Sequence, residues 1–203
     1  MKIIAFGAHP DDIEIGVGGV LKKYVDSGNE VLSVIVTIPN NREIRWKEAE
    51  KAANILGAEI LIMDLESKDI VFSRNLVKEF DSIVNDFKPD IVFTHWNHDS
   101  HQDHVGVSNS VIAATRKNEC CLYMYEQTVP GGIVPYGFRT QMFVDISNVI
   151  DKKIESTLAH ESQVKGNIKK WVDGIKGRAL YRGSQINVEC AEAFEVVRDI
   201  KKI

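Results

Sequence analysis

The chain has 203 residues, 44% of them hydrophobic and 27% charged, with a formal net charge of −4. That size and mix suit one domain, residues 1–203, with a sizeable core. The acidic balance gives no broad attraction for nucleic acid or an anionic membrane. No apolar run is long enough to span a bilayer, and no signal peptide is recognised ahead of the first strand-like run. The three cysteines, Cys120, Cys121 and Cys190, are odd in number and two are adjacent, which argues against a disulfide framework. The expectation is a cytoplasmic protein.

Strand-like and helix-like segments alternate, the pattern of an α/β fold. The first strand is expected over residues 2–6. A helix then starts near Ile13 or Gly16 and stops before Ser27-Gly28-Asn29. Strand two, Glu30 to Thr37, has an unbroken apolar centre that predicts burial on both faces. A helix from Glu43 to Leu56 is closed by Gly57. Strand three covers 59–63, and a helix over 73–87 carries Leu76, Phe80, Ile83, Val84 and Phe87 at helical spacing. Strand four covers 90–94, a helix 102–117, and strand five 120–125. Val129 to Gly137 is dense in Gly and Pro and reads as a loop or lid. Residues 142–146 predict a sixth strand, and two helices follow at about 148–162 and 165–182. The stretch from Cys190 to Ile200 fits helix or strand.

Two clusters carry the chemistry. His9-Pro10-Asp11-Asp12 follows strand one, and His98-Asp99-Ser100-His101-Gln102-Asp103-His104 follows strand four. In the doubly wound order 3-2-1-4-5 those strands are neighbours, and ligands bind beyond their C-terminal ends. Four of the six histidines, His95, His98, His101 and His104, recur at three-residue intervals. A solvated loop has no reason to gather them. Helix capping by Asp11 or Asp12 would explain part of the first cluster and none of the second. Two imidazoles and a carboxylate suit a catalytic zinc that keeps one open position. The same set suits the Fe(II) of non-haem oxygenases, but a second free carboxylate favours hydrolysis.

Adjacent aspartates can divide labour, one as ligand and the other as general base. His101 could face the site without ligating and donate to a developing oxyanion. Alternatively, His101 and Asp103 support and orient His104. Gly16-Val17-Gly18-Gly19 is a weak phosphate-loop signal, because it lacks the dinucleotide spacing. Glycines for close helix-to-sheet packing are the preferred reading.

Ala8-His9-Pro10-Asp11-Asp12-Ile13-Glu14, with Gly16-Val17-Gly18-Gly19, resembles the opening motif of the PIG-L/LmbE-like de-N-acetylases. His101-Gln102-Asp103-His104 resembles that family's second motif. Arg45-Trp46-Lys47-Glu48 with Ala52 and Leu56-Gly57 is similar to its R-x-x-E…A…L-G helix. His160-Glu161-Ser162-Gln163 and Ala191-Glu192-Ala193-Phe194 look like its H-x-S-Q and A-E-A-F segments. The match runs in order over nearly the whole chain.

The resemblance implies a Rossmann-like three-layer fold with a mostly parallel sheet and one zinc, with Fe2+ as a possible substitute. The implied ligands are His9, Asp12 and His104. Asp11 would be the general base and His101 its catalytic partner, with Asp103 in support. Arg45 would touch substrate, its alternative being a solvated helix-face arginine. His95 and His98 enrich the second cluster beyond the family pattern, and His98 could compete for metal or line the pocket.

The expected activity is removal of the N-acetyl group from a small, soluble N-acetylglucosamine-type sugar or conjugate. The alternatives are an amidase of the same fold acting on another amide, such as a thiol conjugate, and a non-enzymatic sugar- or nucleotide-binding module. The resemblance also implies a homo-oligomer. Apolar surface is expected at Val129–Val134 and at Ala193-Phe194-Glu195-Val196-Val197.

Overall fold

The computed structural model describes residues 1–127 and 134–201. Its strands are β1 (Lys2–Gly7), β2 (Glu30–Ile35), β3 (Glu59–Ile62), β4 (Ile91–His95), β5 (Cys121–Tyr125), β6 (Met142–Asp145) and β7 (Ala191–Arg198). Its α-helices are α1 (Asp12–Asp26), α2 (Arg42–Leu56), α3 (Arg74–Phe87), α4 (Gln102–Ala114), α5 (Ile150–Leu158), the one-turn α6 (Glu161–Val164) and α7 (Ile168–Ser184).

One sheet runs β3-β2-β1-β4-β5-β7-β6. The first five strands pair in parallel. The expected order of strands three, two, one, four and five is therefore found. β7 pairs antiparallel with both β5 and β6. The segment that fitted helix or strand is thus an interior strand. Its alternation was hidden because Glu192 and Glu195 are buried along with Ala193 and Phe194. The expected interface segment 193–197 is mostly inside the sheet. Residues 128–133, including nearly all of the other one and half of the expected lid, lie outside the described residues.

Strand periodicity builds a core on each face. Ile3 and Ala5 of β1 join one cluster with Ile13, Val17 and Leu21 of α1. Ile4 and Phe6 join another with Leu76, Phe80 and Val107 of α3 and α4. Helices thus cover both faces, as burial of parallel strands requires. Gly57 ends α2 in the left-handed region at φ 79°, where glycine carries no Cβ penalty. The two helices expected over 148–182 are three, because the chain breaks at Ala159–His160 and again at 165–167.

The glycine-rich run opens α1 to its neighbours. A Cβ on Gly16 would fall 2.2 Å from the Tyr125 ring, and one on Gly19 would fall 2.9 Å from Ile146. These glycines serve packing. At the same level, side chains enter the helix ladder. Glu192 accepts from the Gly19 and Val20 N–H groups at 3.0 and 2.8 Å. Lys153 donates to the Glu14 and Ile15 carbonyls at 3.0 and 2.8 Å and pairs with Glu192. Arg178 adds a bond to Ile15 O at 2.7 Å. Ile15 O and Gly19 N–H are regular i→i−4 partners, and here both are held by side chains from other elements. Lys153 is fully buried. Removing one member of such a pair strands a buried charge. Lys153→Met is therefore expected to destabilise the protein by about 3–5 kcal/mol in urea denaturation; unchanged stability would contradict this packing account.

Candidate metal centre and active site

Parallel pairing of β1 with β4 aligns Ala5 with Phe93. The segments leaving those two strands therefore converge, and the two histidine-carboxylate clusters meet. Ligand atoms of His9, Asp12 and His104 lie within 4.8 Å of one another. All three side chains are nearly buried.

The first cluster is a strained turn. Asp11 occupies the position before α1 but makes no capping bond, so helix capping does not account for it. Its φ is 97°, a conformation that costs a non-glycine residue about 1–3 kcal/mol. The Asp12 carboxylate stabilises the turn by accepting the His9 N–H at 2.7 Å. Arg45 stabilises it from α2, donating from Nη2 to the Pro10 carbonyl at 3.0 Å. Arg45 is 4% exposed, lines the cavity and approaches Asp11 at 4.0 Å. The solvated helix-face reading of Arg45 fails on this burial.

Each of the two imidazoles is backed by its own carboxylate. His9 places Nε2 3.0 Å from Asp103 and turns Nδ1 to Asp12 at 3.5 Å. His104 places Nδ1 3.1 Å from Asp99 and turns Nε2 to Asp12 at 3.3 Å. A proton on the carboxylate side leaves a lone pair on the Asp12 side. That is how metal-ligating histidines are oriented. Asp103 thus supports His9, whereas the sequence reading had it orienting His104; Asp99 does that. Gln127 holds the other oxygen of Asp12 at 2.9 Å. The donor set and its carboxylate backing fit a divalent transition metal. His9, His101 and Asp103 form a second group of similar compactness.

His95 is not a ligand in this arrangement. It is fully buried, accepts the Ala8 N–H on Nε2 at 2.9 Å and stacks on His104 at 4.0 Å. Burial, then the neighbouring His104 charge, lowers its pKa to about 4. It is a neutral plate behind His104. His98 packs instead against Trp96 and Tyr136, away from the ligand group.

His101 precedes α4 and accepts the Asp103 N–H on Nδ1 at 3.2 Å. A neutral His101 therefore carries its proton on Nε2. Burial and the charges of His104 and His9 lower its pKa. Asp11 is driven the other way, to about 7, by burial and then by Asp12, with His160 and Arg45 opposing. Asp12 stays ionised: burial disfavours its charge, but the His104 cation and hydrogen bonds with His104 and His9 hold it well below the usual carboxylate range. Two adjacent carboxylates are thus driven apart, Asp12 staying ionised among the histidines and Asp11 rising to about 7, a separation of the kind found where two carboxylates take different acid–base roles. A cavity of about 300 Å³ opens onto Asp11, Asp12, His9, His101 and His104.

The PIG-L family profile, described as GlcNAc-PI de-N-acetylase, matches residues 4–115. The chain belongs to the PIG-L family. It is 26% identical to the diacetylchitobiose deacetylase of Thermococcus kodakarensis, over 98% of this chain and 84% of that one. The N,N'-diacetylchitobiose deacetylase of Pyrococcus horikoshii shares the fold at TM-score 0.83 and 24% identity, covering 97% and 83% of the two chains. The 4-carboxy-2-hydroxymuconate hydratase of Pseudomonas putida KT2440 shares it at 0.80 and 19%, covering 100% and 99%. Among the described residues no helix is long and apolar enough to cross a membrane.

For this PIG-L protein, the His104 geometry has a thermodynamic consequence. Burial works against its cation, but Asp12 and Asp99 raise its pKa to about 10. Below that pH the metal-free protein holds a proton on His104 that a ligating metal must displace. Zinc uptake at pH 7 is expected to release at least about one proton per ion, with release fading as pH rises through about 10. Calorimetry in buffers of different ionisation enthalpy measures it. Zinc binding without proton release at pH 7 would contradict the placement of His104.

Proposed function

We propose that the protein is a metal-dependent hydrolase that removes the acetyl group from a small, soluble N-acetylglucosamine-type sugar or conjugate. The observation that carries this reading is the split pair of aspartates. Asp12 faces two carboxylate-backed histidines, while the adjacent Asp11 opens onto the same cavity without joining that group. Membership of a de-N-acetylase family and likeness to a diacetylchitobiose deacetylase support the amide and the sugar.

His9, Asp12 and His104 would hold zinc, or Fe(II) in its place. When bound, the metal would supply Lewis-acid polarisation of the amide carbonyl and a lowered pKa for the attacking water. Asp11 takes a proton from that water as its oxygen attacks the acetyl carbon. His101 donates its Nε2–H towards the developing oxyanion, which a neutral imidazole can do without first being charged. The C–N bond then breaks, and the proton held by Asp11 passes to the leaving amine. Acetate and the free amino sugar result. Arg45 braces the turn that carries Asp11 and, lining the cavity, would contact the substrate as well.

The test is acetate release from a panel of N-acetyl sugars and conjugates. Asp11→Asn is expected to retain zinc and lose about 10²–10⁴-fold in kcat. Asp12→Ala is expected to lose zinc and activity together. Near-normal turnover of Asp11→Asn would remove it as the base. Zinc-loaded protein that releases no acetate from any N-acetylhexosamine, yet cleaves another amide, would move the enzyme to a different amidase class.

A further inference from the structure

Resting on that reading of the site, we propose that Trp171 is the wall on which a single N-acetylhexosamine ring stacks in the cavity. Gly166 adopts φ 83° between α6 and α7, a turn that glycine makes without a Cβ penalty. It delivers Trp171 into the first turn of α7, where the indole lines the cavity that Asp11, Asp12 and His104 also line. Trp171 is partly exposed and lines the cavity, and no ring pair involves it among the described residues.

A pyranose has one face of C–H bonds and an edge of hydroxyls. Its recognition calls for an apolar plate and a few placed polar groups. The cavity provides both. Among the described residues that line it, Trp171 is the one aromatic ring apart from the histidines, and Ile15 and Pro39 add apolar surface. Gln127 spends its amide N–H on Asp12, which fixes the flip of its amide. Its Oε1 is buried and has no partner among the described residues. An unpaired buried acceptor is unfavourable, and a hydroxyl or amide N–H of the sugar would satisfy it. The volume, about 300 Å³, is at the small end for ligand cavities of roughly 300–1,000 Å³. One ring fits that measure better than an extended polymer.

Steady-state kinetics on N-acetylglucosamine and N,N'-diacetylchitobiose test this. Trp171→Ala is expected to raise KM about tenfold with kcat little changed, and Trp171→Phe to recover most of the loss. Unchanged KM in Trp171→Ala, or a fall in kcat alone, would overturn the proposal while leaving the deacetylase reading intact. Binding is read separately in the Asp11→Asn background. N-acetylglucosamine should quench tryptophan fluorescence saturably, and the quench should vanish in Trp171→Phe. If neither sugar is hydrolysed but that quench appears, the stacking site stands and the deacetylase reading falls. If no quench appears, or if it persists in Trp171→Phe, the stacking site is refuted.

Discussion

The site depends on one buried carboxylate. Asp12 is enclosed by His9, His95 and His104, and both its oxygens accept further hydrogen bonds, from the His9 amide and from Gln127. A carboxylate in such a place is costly unless its charge is met. His104 meets it in the metal-free protein, and a cation would meet it more fully. The neighbouring residues follow from that demand. Asp99 and Asp103 fix the two imidazoles from behind. The strained Asp11 backbone accompanies two successive carboxylates with different surroundings, Asp12 among the histidines and Asp11 on the cavity.

The scaffold keeps that arrangement in place at some distance from it. The first turn of α1 carries Asp12. One turn on, Lys153, Arg178 and Glu192 grip the helix backbone from α5, α7 and β7. These contacts tie elements from the last quarter of the chain to the helix that carries Asp12. They give the A-E-A-F segment a physical role, although it lies outside the residues matched by the family profile. Glu48 makes a parallel link, accepting from Ser162 N–H and Oγ at 2.7 and 2.6 Å. That bond joins the R-x-x-E helix to the H-x-S-Q segment.

Much of this was legible in the sequence where local pattern and tertiary burial agree. The parallel strands read as apolar runs, and Gly57 marked a helix end. The two clusters pointed at one crevice because strand order can be argued from α/β topology. The rest was hidden by buried polar residues. β7 resisted assignment because Glu192 and Glu195 face inward. Asp99 was seen as part of a cluster, but its partnership with His104 depends on the turn before α4. Gln127 offered one usable signal: it follows a strand adjacent to β4 at the same end of the sheet. Trp171 offered none, since an isolated tryptophan at the start of a helix is not a pattern. Arg45 read equally well as a substrate contact or as a solvated helix-face residue, because nothing in its neighbours shows that α2 packs over the His9–Asp12 turn.

The most direct measurement is anomalous diffraction at the zinc edge from zinc-loaded crystals. The account predicts one strong peak ligated by His9 Nδ1, Asp12 and His104 Nε2, with Asp99 and Asp103 still bonded to the outer imidazole nitrogens. A peak held by His9, His101 and Asp103 instead would contradict it, because His101 would then be a ligand and the division of labour between Asp11 and Asp12 would lose its basis.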